Sequence, residues 1–239
     1  MVELNSNFKY AIRDLVYLLD RNYPRKSSIE LVGNRYMLSK DERLILFRGV
    51  FSREICKQRR KKSVNVFNND KNIIIVDGLN VLITIISYLS GRIVFKALDG
   101  FVRDISGVYG NFTYSKITEK AMEMLIKLLS SIIDIKSGML FFYLDYNASK
   151  TLDFSRFIHE QLLKADIENR VIVEKNCDYL IVKKAEELRE NCVVATSDTV
   201  IIDKTDFIID LPLLLFKKIL KKDILDLKRI SGFRFGNQI

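Results

Sequence analysis

Histidine is nearly absent from this 239-residue chain: His159, within "FSRFIHEQLLKAD", is the single one. A zinc centre of the His/Cys type needs three or four such ligands, and a Ser-His-Asp triad needs a dedicated histidine, so neither chemistry is expected. Cysteine is also scarce. Cys56, Cys177 and Cys192 lie far apart without CxxC spacing, and an odd count of this kind reads as reduced thiols packed as small apolar side chains. Proline and glycine number two and ten, while apolar residues make up 48% and charged residues 29%, a composition that folds rather than stays disordered. Long apolar runs are lacking too. "IIIVDGLNVLITIISYL" is interrupted by Asp77 and Asn80, short of the roughly 18 to 20 residues a membrane span needs. The opening "MVELNSNFKYAIRDL" carries acids where a secretion signal would carry bases, so a cytoplasmic protein without a membrane partner is expected.

Charge is plentiful but unevenly placed. Residues 1–70 hold 15 Lys and Arg against 8 Asp and Glu, residues 71–210 hold 17 against 20, and residues 211–239 hold 7 against 2, for a net charge of +9. Basic ends flanking an acidic middle suit a polyanion at the ends and a cation in the middle, although a solvated surface would read the same way.

The first 62 residues predict a basic helical domain. Phe8, Ile12, Leu15, Val16 and Leu19 recur at helical spacing up to Pro24, and Ser27 with Glu30 and Ser39 with Glu42 have capping-box spacing on either side of a turn at Gly33-Asn34. The outline also fits a helix-turn-helix, as it fits many small bundles. "KQRRKK" at 57–62 and the polar stretch 63–72 predict a linker. Lys57, Arg59, Arg60, Lys61 and Lys62 are candidate phosphate contacts or a solvated helix end. From residue 73 to 239, "IIIVD", "MLFFYLD", "VIVEK", "CVVAT" and "FIID" read as continuous buried strands alternating with helical segments. This is the signature of an α/β domain with a mostly parallel sheet in three layers. The stretch 91–117 reads as an insertion, and "LLLFKKILKKDILDLKRI" as a basic amphipathic helix. In that helix Lys217, Lys218, Lys221 and Lys222 could meet nucleic acid, while Leu215, Ile219 and Leu227 cover the sheet or, less simply, meet an anionic surface.

In such a sheet, ligands bind beyond the carboxyl ends of the strands. Asp77 ends the first strand, Asp145 the second, Asp198 follows "VVATS", and Asp178 opens the helix "CDYLIVKKAEEL". Any one of them reads as a helix cap or turn former. Four at equivalent positions repel one another unless a cation sits among them, and carboxylates without histidine suit one or two Mg²⁺ or Mn²⁺ ions. Asn80, Ser197 and Thr199 could orient a water or a phosphate oxygen, or merely cap and turn the chain.

"VDGLNV" and "CDYLIVKKAEELRENCVVATSD" resemble the two acidic segments of PIN and NYN nuclease domains, over roughly residues 73–210. "YPRKSSIELVGNRYMLSKDERLILFRGVFS" is similar to the small helical domain that precedes a PIN-like domain in a prokaryotic family. The resemblance implies a Rossmann-like PIN fold, a divalent-metal site and endoribonuclease-type hydrolysis, with Asp77, Asp178 and Asp198 at the family's acidic positions. Val200 stands where the NYN pattern often has a further aspartate, with Asp203 three residues on. The acid that PIN domains place on an early helix has Glu119 as its nearest match and Asp104 as a rival. RNA is therefore the expected partner, homo-oligomerisation is left open, and the alternative is a catalytically degenerate module that holds RNA or a ribonucleoprotein without cutting it.

Overall fold

The computed structural model describes residues 4–64, 73–106, 115–132, 138–146 and 151–233. In chain order its elements are α1 (Phe8–Leu19), α2 (Arg25–Arg35), α3 (Lys40–Gly49), α4 (Arg53–Lys62), β1 (Ile73–Asp77), α5 (Gly78–Leu89), β2 (Val94–Lys96), β3 (Val102–Asp104), α6 (Lys116–Ile132), β4 (Met139–Asp145), α7 (Thr151–Lys164), β5 (Glu168–Glu174), α8 (Cys177–Leu188), β6 (Cys192–Ala195), α9 (Thr199–Lys204), β7 (Ile208–Ile209), α10 (Leu211–Leu215), β8 (Leu225–Asp226) and α11 (Leu227–Ser231). Most of the linker expected over 63–72 lies outside the described residues. No helix among the described residues is long and apolar enough to cross a membrane.

Two compact units result, and neither is a single stretch of chain. The first gathers residues 1–61, 92–105 and 224–239; the second gathers 62–91 and 106–223. In the first unit the apolar stripe of α1, read from its spacing, is buried at Phe8, Ile12, Leu15 and Val16, and it packs with Ile29, Ile45, Leu46 and Phe51. Completing that core takes residues from outside the N-terminal segment: Phe95, Ala97, Leu98 and Leu227. The described part of the stretch read as an insertion accordingly forms an antiparallel hairpin, β2 with β3, to which β8 adds in parallel. Arg13 of α1 donates to the Ser231 carbonyl at the end of α11 (2.8 Å).

Local signals explain most of the helix ends here. Ser39 and Glu42 do form a capping box, each side chain bonded to the other's backbone amide. The Ser27–Glu30 pair does not. Helix α2 starts three residues earlier, with Pro24 as its N-cap, and the hydroxyls of Ser27 and Ser28 turn back to the Pro24 carbonyl. Gly33-Asn34 is no turn either: both residues lie inside α2, and the reversal comes at Met37, whose φ is +50°. At Gly33 the Arg43 guanidinium occupies the space a Cβ would fill, while donating to the Leu38 carbonyl and to Asn34 Oδ1, so a larger residue would displace that arginine.

The basic run also changes its meaning. Arg59 is 5% exposed and points inward, its guanidinium on Asp99 Oδ2 (3.1 Å), while Arg103 clasps both oxygens of Asp99 (2.8 and 2.9 Å). Both guanidinia lie over the Phe51 ring. Arg60 donates to the Leu98 carbonyl, and Lys62 donates to the carbonyls of Ile202 and Asp203 within the second unit. Arg59 is therefore corrected from a surface phosphate contact to a buried structural cation, because the fully buried Asp99 captures it. Lys57 and Lys61 remain exposed.

The second unit holds a five-stranded, all-parallel sheet in the order β5-β4-β1-β6-β7. The strands are the five that the apolar runs predicted. The central ones, β1 and β6, are buried through Ile74–Val76 and Cys192–Ala195. Removing each such Ile or Val from water contributes about 1.5–3 kcal/mol. β5 differs from expectation: it begins at Glu168 and is half-exposed, because it is an edge strand covered on one side only. Ser63 and Val64 pair with Ile208 at the other edge. The C-terminal basic segment is not one helix. It runs as α10, a π-helical turn over Phe216–Leu220 that breaks at Lys221 (φ +49°), and then β8 and α11. Leu215 is buried in the second unit and Leu227 in the core of the first.

Asp99→Ala is expected to destabilise the protein by about 3–5 kcal/mol, since it removes the carboxylate shared by two buried guanidinia. Urea denaturation of the variant against wild type checks this, and a change under 1 kcal/mol would show that the triad is dispensable.

Candidate functional site

At the carboxyl edge of the sheet β1 delivers Asp77, its neighbour β4 delivers Asp145, and its other neighbour β6 leads through Thr196 and Ser197 to Asp198. Asp178 sits in the first turn of α8, which follows edge strand β5. The glycine of "VDGLN" has a packing reason. A Cβ at Gly78 would run into the Phe142 ring and the Tyr143 carbonyl, so only glycine lets α5 leave β1 this close to β4 and keep Asp77 at the strand end.

A short hydrogen-bond network fixes the central carboxylate. The Thr196 hydroxyl donates to Asp77 Oδ2 (2.7 Å) and accepts from the Asp198 amide (3.0 Å). Asn80 Oδ1, buried one turn into α5, accepts from both the amide (3.0 Å) and the hydroxyl (2.9 Å) of Ser197. Asp198 Oδ1 in turn accepts from the Val200 and Ile201 amides and caps α9. The helix-cap reading of Asp198 is thus realised, and its Oδ2 stays outside these bonds. Asn80 and Ser197 hold the strand-to-helix turn, and Thr199 begins α9. Thr196 was not singled out from the sequence. The signal was a hydroxyl residue between the strand end and its aspartate in "ATSD".

The four aspartates lie in one another's field. Asp77, 9% exposed, has its carboxyl pushed up to about 7, first by burial and then by the charges of Asp178 and Asp198, against the pull of the Thr196 hydroxyl. Asp178 is raised by burial and by Asp198 and Asp145. The thiol of Cys177 is driven up to about 12, by burial first and then by Asp145, Asp77 and Asp178. Among the described residues, however, no group of three or more His, Cys, Asp or Glu side chains is arranged to hold a metal ion directly.

The remaining candidates are dispersed. Glu119 is half-buried in the first turn of α6, and Asp203 is exposed on α9. Asp104 is buried in β3 and belongs to the first unit. Lys217, Lys218, Lys221 and Lys222 are exposed around the π-helical turn of the second unit. His159 is structural: its Nδ1 bonds Asn169 Oδ1 (2.8 Å). All three cysteines are free and buried. A cavity of about 520 Å³ opens at the opposite, amino end of the strands, lined by residues that include Arg189, Glu190, Lys204 and Phe207. Its mixed charges define no particular chemistry.

The fold and the site define an α/β protein with acidic residues gathered at the carboxyl edge of a parallel sheet, joined to a helical unit. Residues 68–213 match the model of a family described as a domain of unknown function (DUF5616), and the chain belongs to that family. Residues 7–62 match a second, described as a protein of unknown function (DUF434). The chain is 32% identical to the uncharacterized protein MJ0935 of Methanocaldococcus jannaschii over 203 residues, 84% of this chain and 92% of that one. No solved structure matches.

The raised Asp77 carboxyl sets a sign for pH. Its folded pKa of about 7 lies above the ordinary 3.8, so its contribution to stability is complete below about pH 4 and is lost as pH rises through 7. In EDTA, the stability of wild type measured by urea denaturation is expected to fall between pH 5 and pH 8 by on the order of a few kcal/mol. Asp77→Asn, which keeps an acceptor for Thr196, is expected to remove most of that fall.

Proposed function

We propose that this protein is a divalent-metal-dependent phosphodiesterase that hydrolyses RNA, built on a PIN-like variant of the Rossmann-type sheet. The observation that carries the reading is the buried Asp77 carboxylate at a central strand end, held by Thr196 and repelled by Asp178 and Asp198. Such an arrangement is costly by itself and favourable around a cation. The donor chemistry suits Mg²⁺ or Mn²⁺: hard carboxylate oxygens, with the Cys177 thiol buried and held protonated. These ions are commonly held through one or two carboxylates with waters completing the shell. Asp77 and Asp198 Oδ2 would be the direct ligands, with Asp178 and Asp145 acting through waters. When bound, the ion polarises a phosphate oxygen and lowers the pKa of a bound water. Thr196 keeps Asp77 in one rotamer, and the Asn80–Ser197 pair keeps Asp198 at the edge. Exposed Lys217, Lys218, Lys221 and Lys222 supply positive charge for the backbone of a nucleic acid on the same unit.

Val200 favours a second reading. It is exposed at the position where the resemblance expects another acid, as it would be in a module that retains RNA without cutting it. That module would bind RNA with strong salt dependence, and the binding would survive both EDTA and Asp198→Asn.

Cleavage of a labelled single-stranded RNA in Mn²⁺ decides between the two. Wild type is expected to cut and Asp77→Asn to fall to background; equal cutting by both, or none by wild type, removes the catalytic reading. Thr196→Val is expected to lower cleavage by roughly 10- to 100-fold, the usual cost of losing a group that orients a ligand. Mn²⁺ at pH 8 should also raise the melting temperature of wild type but not of Asp77→Asn, as for any ligand that binds only the folded state.

A further inference from the structure

The two edges of the parallel sheet are finished differently. At β7, only two residues long, the chain covers its own edge: the Val64 amide donates to the Ile208 carbonyl (2.8 Å). At β5 the outer side stays open. This seven-residue strand pairs with β4 alone, in continuous register and without proline or bulge to block a further strand. The Tyr146 amide on the Glu174 carbonyl (3.0 Å) shows which way its backbone faces. In a parallel ladder one residue turns both amide and carbonyl to a given neighbour, and the next turns them away. Glu168, Arg170, Ile172 and Glu174 therefore bond to β4. The amides and carbonyls of Asn169, Val171 and Val173 point outward, with no partner among the described residues.

Side chains along β5 alternate between the faces of the sheet. Asn169, Val171 and Val173 share the face of α7, since Asn169 Oδ1 bonds His159 Nδ1 of that helix. His159 lies on one stripe of α7 with Leu152 and Leu163, seven residues before it and four after, both about half exposed. Apolar surface thus borders the open edge. Arg170, Ile172 and Glu174 share the opposite face, and Arg170 and Glu174 are exposed.

We infer that a second copy of this chain docks on β5, the two β5 strands running antiparallel about a two-fold axis at Ile172 and joining the two sheets into one. This does not depend on what the acidic site binds. A two-fold pairing of the outward edges must centre on a residue of the strand, and charge selects which one. Centred on Glu168, Arg170 or Glu174, it sets a charge against its own copy; centred on Val171, it sets Glu168 against Glu174. Centred on Val173, it sets Glu174 against Ile172, and centred on Asn169 it overlaps only three residues of β5. Centred on Ile172, Arg170 stands opposite Glu174 of the second copy on both sides of the axis, and Ile172 stands opposite Ile172. Val171 and Val173 then exchange the outward backbone bonds that β5 leaves open. A second copy fits better than a foreign strand because the charges on this edge answer one another. Opposite charges directly across an antiparallel pair stabilise it, and like charges destabilise it.

Light scattering of the full chain across a concentration series is expected to give a dimer for wild type. Arg170→Glu and Glu174→Arg should each weaken it by roughly 10- to 100-fold, because both symmetric pairs turn repulsive together. Arg170→Glu combined with Glu174→Arg should restore the dimer, which a merely structural defect would not allow. Val171→Pro removes an outward amide and no bond to β4, so it should leave a monomer whose circular dichroism is unchanged. Ile172→Cys should close a disulfide across the axis on mild oxidation, since opposed side chains at a non-hydrogen-bonded position lie closest. Glu54→Cys, exposed on α4, should not, and the native cysteines are buried. Wild type that stays monomeric throughout, a dimer that survives both single reversals, a charge swap that stays monomeric, or an Ile172→Cys protein that never cross-links overturns the inference.

Discussion

Burying a carboxylate next to other carboxylates is the constraint around which the second unit is organised. Asp77 sits buried at the end of a strand flanked on both sides, where the Thr196 hydroxyl donates to its Oδ2 and the Asn80 backbone in the first turn of α5 also favours its charged form. The local sequence bends to keep it there. Gly78 has no side chain because β4 passes too close, Asn80 is buried to hold Ser197, and Thr196 bridges two aspartates through one oxygen. An acid raised toward neutrality by burial and by its acidic neighbours costs folding stability once it is charged.

The first unit meets the same difficulty with the opposite solution. Its buried acid, Asp99, is answered inside the protein by Arg59 and Arg103, and the Phe51 ring packs against both guanidinia. The half-buried Arg25, also over Phe51, is lowered to about 10 by burial and by those two neighbours. Buried charge in one unit is thus neutralised by guanidinia, whereas in the other Asp77 is met by a neutral hydroxyl and by further acids.

Legibility in the sequence followed the range of the interactions. The strands were readable because a parallel sheet buries both faces and writes continuous apolar runs, and the four aspartates were readable because strand ends and helix starts share one edge. The α1 stripe and the Ser39–Glu42 box were readable because they act within a few residues. Long-range effects were not. Nothing local marks Gly33 as the seat of the Arg43 side chain, distinguishes Arg59 from its exposed neighbours Lys57 and Lys61, or shows that β2, β3 and α11 pack with helices some forty to two hundred residues earlier in the chain. Thr196 was passed over because a hydroxyl beside a strand end has many ordinary uses.

The discontinuity of the first unit bears on how the molecule can be made. The helices emerging first from the ribosome carry the faces of Ile12, Leu15 and Leu46, yet the residues that close over that core, Phe95 and Leu227, are synthesised much later. The nascent N-terminal segment must therefore wait, with oily surface uncovered, until nearly the whole polypeptide has been translated. A fragment cut after residue 62 would remain permanently in that condition, a sticky half-product and not a free-standing domain.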